Sequence, residues 1–119
     1  MSIGTLRRGD IVLTRFPFTD LSGSAVRPAL VVSQGQVVND VVLMGVSSVV
    51  RHPIAPSDIL CEKTHQEFAA TTLKVTSVFR AHKLVAVETK VLSRRLGRLG
   101  PLQQAKVDHK LRVVLGLSA

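Results

Sequence analysis

The chain has 119 residues, 45% of them hydrophobic, which is enough for one packed domain over 1–119 and too much for a disordered chain. Sixteen Lys and Arg against eight Asp and Glu leave a formal net charge of +8, which suits a polyanion, an anionic membrane surface or an acidic protein as partner. No run approaches the roughly 20 apolar residues of a membrane-spanning helix, Met1 to Asp10 lacks the apolar stretch of a signal peptide, and the single Cys61 excludes an internal disulfide, so a cytoplasmic protein is expected.

Gly9-Asp10 is a turn signal, and the β-branched run from Ile11 to Phe16 reads as a first strand. Residues 17–24 (PFTDLSGS) are a loop by composition. The second strand, Ala25 to Ser33, contains Arg27-Pro28-Ala29-Leu30-Val31-Val32-Ser33, a short apolar run with no polar face, so it is expected to be buried on both sides. Pro28 lacks an N–H and belongs at the beginning of that strand, where it also holds Arg27 extended at the strand mouth. A short connection over 35–40 leads to a third strand, Val41 to Val50, apolar until Ser47-Ser48. Pro53 and Pro56 make 51–56 a loop, and Ser57 to Glu62 is a weaker fourth strand.

Thr64 to Ala70 reads as a short helix, with Thr64 and Glu67 at capping-box spacing. Two further strands follow, Leu73 to Phe79 and Lys83 to Glu88, joined through Arg80-Ala81-His82, and the basic stretch Val91 to Leu99 reads as partly helical. The last helix opens at Gly100-Pro101, closes before Gly116, and carries an apolar stripe of Val107, Leu111, Val114 and Leu115. Short strands closed by one helix predict a mainly β fold, a strongly curved antiparallel sheet or partly open barrel.

His52, His65, His82 and His109 show no metal-ligand spacing, and neither a phosphate-binding glycine loop nor a nucleophile elbow is present, so no cofactor is expected. Phe16, Phe18, Phe68 and Phe79 are the only aromatic residues, which argues against a surface that stacks many bases on rings. Arg27 and Arg80 at strand edges, Ser47-Ser48 at a strand end and His82 remain as candidates. Each has a structural alternative: the arginines as solvated strand ends, the serines as the taper of a buried strand, the histidine as a surface residue.

Taken together and in order, these residues resemble the MazF/PemK family of toxin ribonucleases from bacterial toxin–antitoxin pairs. The likeness rests on Gly9-Asp10-Ile11-Val12, the Phe-Pro-Phe-Thr-Asp segment at 16–20, and Arg27-Pro28 leading into a Val-rich strand that ends in Ser33. It continues through VVLMGVSS (41–48), SVFRAHKLVAV (77–87) and RLGRLGPL (95–102). The resemblance implies a small SH3-like barrel of the CcdB/MazF type and metal-independent, sequence-selective cleavage of single-stranded RNA by attack of its own 2′-OH. It implies catalytic roles for Arg27, Ser47 and Arg80, with His82 standing where the family often carries an Asp, and RNA contacts from Thr19, Asp20, Ser48 and Lys83. It also implies a homodimer and an acidic antitoxin partner. The alternatives within the same fold are a non-catalytic, CcdB-like topoisomerase poison and an inactive homologue.

Overall fold

The computed structural model describes residues 4–15 and 26–117; the 17–24 loop, with Thr19 and Asp20, lies outside them. The strands are β1 (Asp10–Thr14), β2 (Arg27–Val31), β3 (Asp40–Ser47), β4 (Asp58–Cys61), β5 (Ser77–Glu88) and β6 (Leu92–Arg98). They form one antiparallel sheet in the order β4-β5-β3-β2-β1-β6. A four-residue helix α1 (Phe68–Thr71) lies between β4 and β5, and α2 (Pro101–Leu115) follows β6.

The strand expected over 25–33 is β2, Arg27–Val31, and burial on both faces holds from Ala29 on, with Pro28 half-buried and Arg27 exposed at its mouth. Ala29, Leu30 and Val31 are wholly inaccessible. Leu30 joins Ile11, Met44, Phe79, Val107 and Leu111 in a core beneath α2. Ala29 and Val31 join Val12, Val41, Leu43 and Val87 in a second core on the opposite face. Alternate residues of one strand thus feed two cores, which is why the run has no polar face.

The sheet is curved but not closed by a strand ladder. The segment between β4 and β5 spans the gap instead: Thr72 Oγ1 donates to the Leu96 carbonyl of β6 at 2.7 Å. Gly97 permits this approach, since a Cβ there would stand 2.4 Å from the Ala70 carbonyl oxygen. In the same stretch of β6, the buried Asp10 carboxylate accepts from Arg98 Nε at 3.1 Å and from the Arg7 amide at 2.8 Å, and it forms an ion pair with Arg95, whose Nε lies 3.1 Å away. A carboxylate removed from water requires such partners, and these bind β6 to the start of β1.

Four expectations are corrected. The stretch 91–99 is a strand over Leu92–Arg98 and not partly helical, because its backbone pairs with β1 across bulged register. Residues 77–88 form one strand: opposite β3 the register jumps from Gly45↔Arg80 to Met44↔Leu84, so 81–83 are absorbed as a bulge without ending it. The first helix is shorter than 64–70, covering Phe68–Thr71, and no capping box forms; Thr64 Oγ1 donates to Glu62 Oε2 at 3.3 Å. Leu115 lies outside the buried stripe of α2 and is 54% exposed, whereas Val107 and Leu111 are buried. No helix among the described residues is long and apolar enough to cross a membrane.

Candidate functional site

Along β3, Val41, Leu43, Gly45 and Ser47 share one face by strand alternation. The first two are buried in the second core, and the last two open into a groove of about 780 Å³ at the end of the sheet. Gly45 stands opposite Ala29 of β2 on one side and Arg80 of β5 on the other. Arg27, two residues before Ala29 and opposite Thr14 of β1, flanks the groove from the first residue of β2. The register therefore brings together Arg27, Ser47 and Arg80, which are far apart in sequence, and Ser48 and Lys83 line the same groove.

The groove is strongly cationic. Arg27, Arg51, Lys74, Arg80, Lys83 and Arg94 line it, and none of its described lining residues is acidic. Arg80 Nε is buried without a hydrogen-bond partner, although Asp58 is its register neighbour on β4. The half-buried Arg80 side chain lines the groove and brings its permanent charge there. The walls between the charges are apolar, and Val26, Val49 and Val75 are 43%, 52% and 50% exposed there.

His82 is not among the residues lining the groove. Its Nδ1 lies 2.8 Å from Ser57 Oγ and 3.9 Å from Asp58 Oδ1, beside β4. The bulge at 81–83 separates it from Arg80's surroundings and presents Lys83 to the groove. Among the described residues no group of three His, Cys, Asp or Glu is placed to hold a metal ion. Cys61 is buried, and burial pushes its thiol pKa up to about 11, which keeps it from acting as a nucleophile.

Sequence reading did not single out Arg51, Thr72, Lys74 and Arg94. Arg94 was hidden by the helical reading of 91–99; alternation on a strand would have separated it from Arg95, which turns to Asp10. Thr72 and Lys74 had no local signal, because only the closure of the 62–76 segment onto β6 brings them to the groove.

Comparison with known proteins places this geometry. A family model described as PemK-like, MazF-like toxin of type II toxin-antitoxin system matches residues 7–115. No match was found among curated protein sequences. Similar solved structures include a mycobacterial endoribonuclease in complex with its cognate antitoxin, with 22% identity, TM-score 0.73, and 96% of this chain and 98% of that chain covered. The Mycobacterium tuberculosis toxin MazF-mt6 has 16% identity and TM-score 0.72, with 92% and 99% covered. A MazE–MazF structure from Deinococcus radiodurans has 21% identity and TM-score 0.69, with 96% and 98% covered. These likenesses show a shared fold, and the family match over residues 7–115 goes further: the chain belongs to the PemK-like, MazF-like toxins of type II toxin–antitoxin systems.

Proposed function

We propose that the protein is an endoribonuclease toxin that cuts single-stranded RNA in the cationic groove without a metal ion, and that an acidic antitoxin segment neutralises it by occupying the same groove. The observation that carries this reading is the convergence of Arg27, Arg80 and Ser47 on one face around Gly45, in a groove whose described lining contains no carboxylate. RNA brings its own nucleophile. Its 2′-OH attacks the adjacent phosphorus, the O2′–P bond forms, the P–O5′ bond breaks, and the proton lost from O2′ is matched by one gained at O5′. The products are a 2′,3′-cyclic phosphate and a 5′-OH.

The phosphorane formed on the way carries extra negative charge. The Arg27 and Arg80 guanidinium groups match it in charge and fork geometry, and the Ser47 hydroxyl donates to a non-bridging oxygen. The described lining offers no imidazole or carboxylate, so these residues contribute charge stabilisation and positioning. Ser48, Lys83, Arg51 and Arg94 hold the flanking backbone phosphates. Thr19 and Asp20 remain RNA-contact candidates from the segment outside the described residues. Exposed Leu102 and Val113, about three turns apart and so on one side of α2, support a homodimer. A reducing cytoplasm, where free Cys61 stays reduced, suits the reading.

The test is incubation of the purified protein with RNA in EDTA, followed by analysis of the fragment ends. Cyclic phosphate and 5′-OH ends are expected. Ends with 3′-OH and 5′-phosphate, or activity abolished by the chelator, overturn the mechanism; intact RNA returns the chain to the non-catalytic alternative.

A further inference from the structure

We propose that residues 72–75 form the base-reading wall of the groove and that Thr72 is the residue that positions it; this rests on the RNA-cleaving reading above. Thr72, Leu73, Lys74 and Val75 all line the groove, on the side next to Ser47, which pairs with Val78 of β5. None of the four belongs to a strand or helix, yet the segment is fastened at both ends. At its start, Thr71 Oγ1 donates to the Phe68 carbonyl at 2.6 Å and accepts the Leu73 amide at 3.1 Å. Thr72 Oγ1 reaches the Leu96 carbonyl across the gap in the sheet. At its far end, Thr76 Oγ1 accepts the Lys63 amide at 2.9 Å, and Ser77 Oγ donates to the Val75 carbonyl at 2.9 Å.

Thr72 itself has φ +55°, the left-handed region that a β-branched residue avoids. Glycine would relax that conformation, but it has no hydroxyl to reach Leu96. A strained residue held by its own side-chain bond at the edge of a ligand groove is a mark of enforced geometry. The surface so fixed has the chemistry of a base reader. Val75 and Val49, both lining the groove, stand half-exposed and can cover the flat face of a base. The exposed Lys74 has no acidic partner among the described residues, and its ammonium carries donors only, suited to acceptor atoms on a base edge. Single-stranded RNA presents such edges and faces together. Arg27, Arg80 and Ser47 act on phosphate, which is the same at every step, so selectivity has to come from a wall of this kind.

The experiment compares cleavage of an RNA library randomised around the cut by the parent protein, Thr72→Gly, Thr72→Ser and Lys74→Gln. Selectivity is read as the ratio of kcat/KM between preferred and disfavoured bases at each flanking position. In Thr72→Gly, which keeps the backbone free to turn but loses the Leu96 bond, selectivity at one flanking position is expected to fall about tenfold, through a loss of kcat/KM on the preferred RNA that the disfavoured RNA does not share; one hydrogen-bonded contact sets a difference of this size. Thr72→Ser restores the bond and the selectivity. Lys74→Gln, an exposed change that leaves the fold intact, alters preference at the same position. A parent protein that cuts no RNA overturns the function itself. A parent that cuts selectively, with unchanged preference in both Thr72→Gly and Lys74→Gln, overturns only the assignment of the wall.

Discussion

Glu67 accepts the backbone amide of Gln103 at 2.9 Å and that of Leu102 at 3.0 Å, so a carboxylate some 36 residues upstream caps the N-terminus of α2. Gly100 makes room for it: a Cβ there would lie 2.3 Å from Glu67 Cδ. The helix has no capping side chain of its own, since Gly100 and Pro101 occupy its first positions. Glu67→Ala is therefore expected to lower stability by about 1 kcal/mol. Desolvation pushes the Glu67 pKa up, but the two amides, with His65 and Lys106, more than offset this and hold it below the ordinary glutamate value. The folded state thus binds this proton less readily than the unfolded chain. Its stabilisation is complete above the unfolded carboxylate range of about pH 4–5 and is lost as pH falls through the lower folded value. Urea unfolding of the parent and Glu67→Gln should show a stability gap at neutral pH that narrows in acid. A gap independent of pH would remove the charged cap from the account.

Val38 presents a different kind of strain. It sits at φ +58° in the turn between Val37 and Asp40, whose backbones exchange hydrogen bonds at 2.7 and 2.9 Å, and it is 86% exposed. Glycine there would relieve about 1–2 kcal/mol of left-handed strain and give back about 0.4–1 kcal/mol through a more flexible unfolded chain. Val38→Gly is expected to gain roughly 0.5–1 kcal/mol on these terms, with RNA cleavage unchanged because the turn does not line the groove. Thermal and urea unfolding check the first point. Equal or lower stability would mean that the turn's other contacts depend on valine.

How far the sequence carried the fold can be seen in β2 and β6. β2 was legible because burial on both faces leaves only apolar residues and because Pro28 fixes where such a strand begins. β6 was not, since Arg94, Arg95 and Arg98 mask its alternation; Asp10 draws in two of these charges and the groove takes the third. Glu67 shows the same limit. Its spacing from Thr64 looked like a local cap, whereas its actual partners are in a helix that only the folded chain brings near. Of the candidate site, Arg27, Ser47 and Arg80 could be named from strand ends and resemblance. Thr72 and Lys74 could not, because they reach the groove through closure of the sheet gap.

Arg27 is exposed at the first position of β2 and contributes no core surface. Arg27→Ala is expected to keep the unfolding midpoint close to that of the parent and to slow single-turnover RNA cleavage by about 10²–10³, the cost of losing one well-placed transition-state donor. Arg27→Lys should recover only a small part of the rate, since a point charge cannot reproduce two parallel contacts to phosphate. Cleavage by Arg27→Ala at the parental rate would reduce Arg27 to a strand end.

His82 provides the last discrimination. An imidazole two residues from Arg80 could accept the 2′-OH proton if it faced the groove. Instead its Nδ1 is engaged at 2.8 Å with Ser57 Oγ, near Asp58, and Lys83 takes the place on the groove lining. A proton acceptor has to come within hydrogen-bond reach of the reacting hydroxyl, directly or through one water. His82→Ala is accordingly expected to cleave within a few-fold of the parent, and the two pH–rate profiles should run parallel over roughly pH 5.5–8. Single-turnover rates measured across that range for both proteins settle the matter. Profiles that diverge there, or a loss in His82→Ala as large as that expected for Arg27→Ala, would mean that the side chain leaves Ser57 and swings into the groove when RNA binds. Parallel profiles leave the guanidinium groups of Arg27 and Arg80, with the Ser47 hydroxyl, to stabilise the reacting phosphate.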